Sequence, residues 1–143
     1  MNTHQKGYVG EQVVKLKFVA GGWNVAKPEV ECRYDLIADD GKKLWRVQVK
    51  YADDYIGEAL MVDLRKQCRN NGESKVYTRD EIDAIVLYVP KTEKVYWVPV
   101  EVFDGMTGLN FRLVLAKNGQ KKRTRLLSDF EWVGNSIGRV PVS

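Results

Sequence analysis

Three residues near the middle of the chain have types and spacing suited to chemistry: Asp35, Gln48 and Lys50. They sit on two runs, Tyr34 to Asp39 and Lys43 to Lys50, joined by Asp40-Gly41-Lys42. An Asp-Gly pair between apolar runs predicts a β-hairpin. The second run alternates, with Trp45, Val47, Val49 and Tyr51 on one face and Arg46, Gln48 and Lys50 on the other. With the turn centred on Asp40-Gly41, Asp39 faces Lys42 and Asp35 faces Arg46. Asp35 then points the same way as Gln48 and Lys50, and only a one-residue bulge would reverse that parity. A carboxylate, an amide and an ammonium converge on one patch of sheet. A solvated antiparallel face would explain three polar residues in alternation. Plain sheet structure rarely calls for this particular combination, which suits binding or catalysis better than packing.

The elements that must hold these residues can be placed from pattern. Thr3 to about Ala20 reads as a helix stopped at Gly21-Gly22. Val9, Val13, Leu16 and Ala20 form one stripe at helical spacing, and Gly7, Glu11, Val14 and Phe18 a second, nearly opposite. Glu11 stands among apolar neighbours, either as a boundary carboxylate paired with a lysine or as a ligand for a cation. Alone, the first reading is favoured. Gly7 and Gly10 each cost about 1 kcal/mol against Ala in a helix. Each therefore points to the close approach of a backbone or a phosphate.

Trp23 to Pro28 reads as a short first strand, and Pro28 to Arg33 as a connector in which Cys32 is inert. Tyr55 to Leu64 reads as a strand. Arg65 to Arg79 is basic, with a turn at Asn70-Asn71-Gly72. Ile82 to Val89 and Lys94 to Pro99 form a hairpin apolar enough to be central and covered on both faces, with Tyr96 and Trp97 as packing groups. Val100 to Phe103 starts a short helix and Asn110 to Ala116 forms a late strand. Ser128 to Trp132 reads as a short helix or a docking strand, and Gly134 to Ser143 has no pattern.

At 143 residues the chain fits one domain with a real core, and 44% hydrophobic with 29% charged residues is the balance of a soluble globular protein. No apolar run reaches the length of a membrane span, and Met1 to Lys6 leads into no signal-peptide core. Cys32 and Cys68 have no metal-site spacing, so they read as reduced thiols of a cytoplasmic protein. The net charge is only +4, but Arg112, Lys117, Lys121, Lys122, Arg123 and Arg125 follow one another with no acid between them. Such a patch fits a polyanion, nucleic acid first. A solvated basic loop remains the alternative from charge alone.

A helix bearing Glu, an apolar strand bearing Asp, a turn and a strand ending Gln-x-Lys resembles the core of the PD-(D/E)XK nucleases. The matching residues are Gly10-Glu11, Tyr34-Asp35-Leu36 and Gln48-Val49-Lys50, supported by Lys6-Gly7 and by Gly22-Trp23. The resemblance is nearest to intron-encoded homing endonucleases, with Holliday junction resolvases second. It spans Lys6 to Phe103 and extends more weakly into the basic C-terminal part. Tyr34 stands where the motif has Pro, and Gln48 where it has an acid.

The resemblance implies an α/β (α+β) fold with a mixed central sheet flanked by helices. It also implies a single nuclease domain over 1–143, with a core of about 3–103 and a DNA-contacting extension of about 104–143. It further implies a Mg²⁺-dependent endonuclease, with Mn²⁺ as a substitute, acting on double-stranded DNA as a homodimer or homotetramer. Asp35 would be the central metal ligand, helped by Glu11 and the Val49 carbonyl. Gln48 would bind the ion or one of its waters, and Lys50 would polarise the attacking water or hold the scissile phosphate. Gln offers an oxygen without charge, a weaker ligand for a hard cation. Arg65, Lys66, Arg69, Lys121, Lys122, Arg123 and Arg125 would contact DNA. Three readings follow: a site-specific homing endonuclease, a junction resolvase, and a DNA-binding module with a decayed nuclease core.

Overall fold

Helix α1, Thr3–Ala20, is bounded by side-chain and main-chain caps at its two ends. Asn2 Oδ1 accepts from the Gln5 N–H (2.9 Å) and Gln5 Oε1 accepts from the Asn2 N–H (2.8 Å), a reciprocal capping box. At the other end the Gly21 N–H donates to the Lys17 carbonyl (2.9 Å). A side chain at Gly21 would place its Cβ 2.5 Å from the Trp132 ring, so only glycine lets that indole close the helix end. These details come from a computed structural model that describes residues 1–67, 74–114 and 125–134.

The central sheet has five strands in the order β1-β2-β3-β8-β9. They are β1 (Asn24–Ala26), β2 (Leu36–Asp39), β3 (Leu44–Tyr51), β8 (Ala84–Val89) and β9 (Lys94–Pro99). Only β3 and β8 run parallel, with Lys50 opposite Leu87. A parallel pair needs a long crossover. Here the crossover is β4 (Tyr55–Ile56), β5 (Ala59–Asp63), β6 (Arg65–Gln67) and β7 (Ser74–Val76). Helix α2 (Val100–Phe103) follows β9, and β10 (Gly108–Arg112) and β11 (Arg125–Leu126) complete a second, mixed sheet in the order β11-β10-β5-β4. Strands β6 and β7 pair only with each other.

The α/β architecture with a mixed central sheet is as expected. One face of that sheet is covered by a helix, and the other by the second sheet together with α2. The helix-side core joins Val14 and Phe18 to Leu36, Ala38, Val47, Val49, Ala84 and Val86. Trp23, Trp97 and Trp132 surround Phe18 with ring centroids 5.4, 6.1 and 4.9 Å away. On the far side, Ile85, Leu87, Tyr96 and Val98 pack with Leu60, Val62, Leu109 and Phe111. Strands β8 and β9 are thus covered on both faces, and Tyr96 and Trp97 are core residues. Residues 127–130 form a 3-10 turn, and Glu131 then bridges to Tyr96. No helix among the described residues is long and apolar enough to cross a membrane.

Three expectations need correction. The stripe that α1 buries is Gly10, Val14 and Phe18, whereas Leu16 is 70% exposed. The segment Tyr55 to Leu64 is not one strand. Gly57, at φ 60°, reverses the chain so that Tyr55 pairs with Leu60. The organising hairpin is also slid by two residues: Asp39 pairs with Leu44 and Ile37 with Arg46. The cause is Asp40, whose Oδ1 accepts from the main chain of both Lys42 and Lys43 at 2.7 Å. Its Oδ2 accepts from Trp45 Nε1 (3.0 Å). These bonds widen the loop to Asp40–Lys43. A slide of two keeps parity, so the helix-facing and far-facing sets of β3 stay as expected.

Arg46, released from Asp35, is bonded to Asp83 at the start of β8. Asp83 Oδ2 accepts from the Arg46 N–H (2.7 Å) and Nε (3.2 Å), and Oδ1 accepts from Arg46 Nη2 (3.1 Å). Burial pushes the Asp83 carboxyl up, but the hydrogen bonds and charge of Arg46 outweigh it and hold the group below its ordinary 3.8. A folded pKa below the unfolded one adds stability above the unfolded value, and that stability is lost as pH falls through the folded value. Asp83→Asn should therefore flatten the acid limb of stability below about pH 4. Urea unfolding over a pH series measures this, and an unchanged acid slope would rule the pair out as a source.

Candidate active site

Asp35 lies just ahead of β2, whose first ladder pair is Leu36 with Val47. Its own N–H donates to the Val47 carbonyl (2.8 Å), and its Oδ2 accepts from the Val49 N–H (3.0 Å). The carboxylate thus takes the place that another residue of β2 would have filled. Beyond this point the β2 side of β3 has no strand partner, while β8 still pairs on the other side. N–H and C=O of one strand residue point the same way. The Val49 carbonyl is therefore aimed toward the edge where Asp35 stands.

Gln48 is only 8% exposed. Its Nε2 donates to the Val49 carbonyl at 3.4 Å, a long contact, and its Oε1 is buried without a hydrogen-bond partner among the described residues. A buried amide oxygen without a donor costs desolvation free energy. Lys50 extends to the far face, with Nζ 5.4 Å from the centroid of the buried Tyr77 ring. Its charge also reaches Asp63, whose carboxyl is held low first by the Arg65 hydrogen bond and to a lesser degree by Lys50. Burial pushes the Tyr77 hydroxyl far up, and the charge of Asp35 adds to the shift. Asp35 and Lys50 thus both act on the Tyr77 side of the sheet.

Glu11 sits on α1 with a 17% exposed side chain and forms an ion pair with Lys27. This is the boundary pairing with a lysine that the sequence alone favoured. Lys27 and Asp35 line one cleft of about 320 Å³. Among the described residues no three acidic, histidine or cysteine side chains stand together as a metal cluster. The oxygens that do gather are the Asp35 carboxylate, the Val49 carbonyl and the unsatisfied Gln48 amide oxygen. That donor set fits a hard divalent cation, which prefers oxygen ligands and keeps several waters.

Val49 and Lys50 also line a cleft of about 400 Å³, together with Lys6 and Gly7 of α1 and Met61 and Asp63 of β5. Of the basic residues expected at DNA, Arg65 is on β6 and half-exposed, bonded to Asp63 through Nε (3.1 Å). Lys66 lies opposite Lys75 in the β6–β7 hairpin, and Arg125 is in β11. Arg69, Lys121, Lys122 and Arg123 lie outside the described residues, as do Cys68, the Asn70-Asn71-Gly72 turn and 135–143.

Two residues near the site carried no signal in sequence. Arg33, assigned to a plain connector, donates through Nη2 to the carbonyls of Lys75 (3.1 Å) and Val76 (2.7 Å) and pairs with Glu81 (3.0 Å). Its guanidinium lies 4.5 Å from the centroid of Tyr77. It fastens the segment leading to Asp35 onto β7. Tyr77 itself is the buried ring beside Arg33, Lys50 and Asp35. Only its distance in space, not its distance along the chain, relates it to them.

A family model described as PD-(D/E)XK endonuclease matches residues 1–133. The solved structure of a bacterial homing endonuclease, I-Ssp6803I, is similar to this chain with a TM-score of 0.72 and 28% identity. That match covers 92% of this chain and 89% of the other. No curated protein matches the chain. Since the family match runs over nearly all of the 143 residues, the chain belongs to the PD-(D/E)XK endonuclease family.

Proposed function

We propose that this nuclease is a Mg²⁺-dependent, site-specific endonuclease that hydrolyses phosphodiester bonds of double-stranded DNA. On this reading it is a homing endonuclease, a single catalytic domain over 1–143 that acts as a homodimer or homotetramer. The observation that carries the reading is the Asp35 carboxylate on the Val49 N–H, next to a buried, unsatisfied Gln48 oxygen and followed by Lys50. Likeness to a bacterial homing endonuclease supports the finer class. Nucleases of this family generally use divalent metal ions. One active site per chain cuts one strand per engagement, so a double-strand break calls for at least two copies.

Asp35, the Val49 carbonyl and Gln48 Oε1 would hold the ion, with Glu11 as an added carboxylate once it leaves Lys27. A divalent cation bound there lowers the pKa of a water and offsets charge at the phosphate. Lys50 orients that water or grips the scissile phosphate, and as a fixed cation it also attracts the DNA backbone. Arg65, Lys66, Arg69, Lys121, Lys122, Arg123 and Arg125 supply the wider DNA contact.

The experiment that tests this reading offers the protein long pooled duplex DNA and a four-way junction in one Mg²⁺ reaction, with sequencing of the ends. Breaks recurring at one duplex site are the expected result. Symmetric nicks confined to the junction would replace the homing reading with junction resolution. Binding without cutting would mean that the neutral Gln48 marks a site that has lost its chemistry.

A further inference from the structure

The cleft beside Lys50 has α1 as one wall, and α1 carries two glycines there. Gly10 has a reason within the chain: a Cβ there would already touch Tyr51 Cβ at 3.4 Å, so helix and strand lie in direct contact. Gly7, one turn earlier, lines the same cleft as Val49 and Lys50. Nothing lies within 4 Å of where its Cβ would stand. Its residue range lies inside α1, where glycine is the least favourable residue after proline. No packing in this chain requires a glycine at that position. The wall it belongs to is held in place, because Lys6 Nζ donates to Asp53 Oδ2 (2.6 Å) across the cleft.

We propose that Gly7 is a substrate-contact residue. Its bare main chain lets the sugar-phosphate backbone of the strand to be cut lie against α1 and reach Lys50. The proposal rests on the cleft being the nuclease site. A methyl group at this point would hold the strand back by more than an ångström, and a misplacement of about 1 Å costs roughly 10²-fold in rate. Glycine here thus trades helix stability for access.

The test uses Gly7→Ala and Gly7→Leu in the full chain. Thermal unfolding, single-turnover cleavage and affinity for a mixed-sequence duplex are measured for each. Gly7→Ala is expected to raise the melting temperature by a few degrees, as the better helix former, and to cut about 10²-fold more slowly. Gly7→Leu is expected also to bind duplex at least tenfold more weakly. A Gly7→Ala protein that cuts like the wild type overturns the proposal. One that melts at a lower temperature overturns it too, because the glycine would then serve packing. If the wild type cuts no DNA, the nuclease reading fails by itself. The duplex affinity of Gly7→Leu then decides: a loss keeps the contact with DNA, and unchanged affinity removes it.

Discussion

Lys50→Ala is expected to slow cleavage by roughly 10²- to 10³-fold, the usual cost of removing one fixed group that stabilises a transition state. Duplex affinity should change less than about threefold, because affinity is spread over many phosphate contacts. The fold should survive, since the ladder of β3 with β8 is made by main-chain groups and places Lys50 opposite Leu87 whatever its side chain. The lost contact, a cation 5.4 Å from the Tyr77 centroid, is modest in energy. Single-turnover rates, fluorescence anisotropy and thermal unfolding separate the three quantities. Cleavage at the wild-type rate would remove Lys50 from the site. A parallel loss of affinity would make it a binding residue instead.

The second large effect is expected at Asp35. Asparagine there keeps an oxygen that can accept from the Val49 N–H, now at 3.0 Å from Oδ2, so the join between β2 and β3 stays closed. What it removes is the negative charge in the proposed donor set. Asp35→Asn should therefore remain folded, lose Mg²⁺ binding by calorimetry and cut at least 10²-fold more slowly. Gln48→Glu should act in the opposite sense. It adds the charge that this sequence lacks and should lower the Mg²⁺ concentration for half-maximal activity. Without metal it should destabilise the fold by about 1–3 kcal/mol, since a carboxylate at an 8% exposed position is poorly solvated. If Asp35→Asn bound Mg²⁺ as tightly as the wild type, the cation would have to be held elsewhere.

Much of the frame behind these residues was legible without coordinates because it is local. The ends of α1 are written in Asn2, Gln5 and Gly21, which act within four residues of one another. The alternation along β3 sorts Val47 and Val49 from Gln48 and Lys50 by pleat alone. The β8–β9 hairpin and α2 follow from unbroken apolar runs bounded by turn residues. The order Glu, Asp, Gln-x-Lys carried the family resemblance.

Other features depended on which distant groups meet. Asp40 accepting from Lys42, Lys43 and Trp45 widened the loop and moved Arg46 from Asp35 to Asp83. A turn residue's side-chain bonds, not its type, set the loop length. The two faces of α1 are similar in apolar content, so the contact with β3 decided which one is buried. Glu11 found Lys27, and Arg33 reached β7 across 43 positions to Val76. The parallel pairing of β3 with β8 requires a crossover, and that crossover builds the second sheet. By itself the sequence determined which residues could do the chemistry and on which strand faces they lie. Only the tertiary structure decided that Asp35 takes hold of Val49 and that Gln48 is buried, because those outcomes depend on where β2 stops against β3 and on what covers the far face.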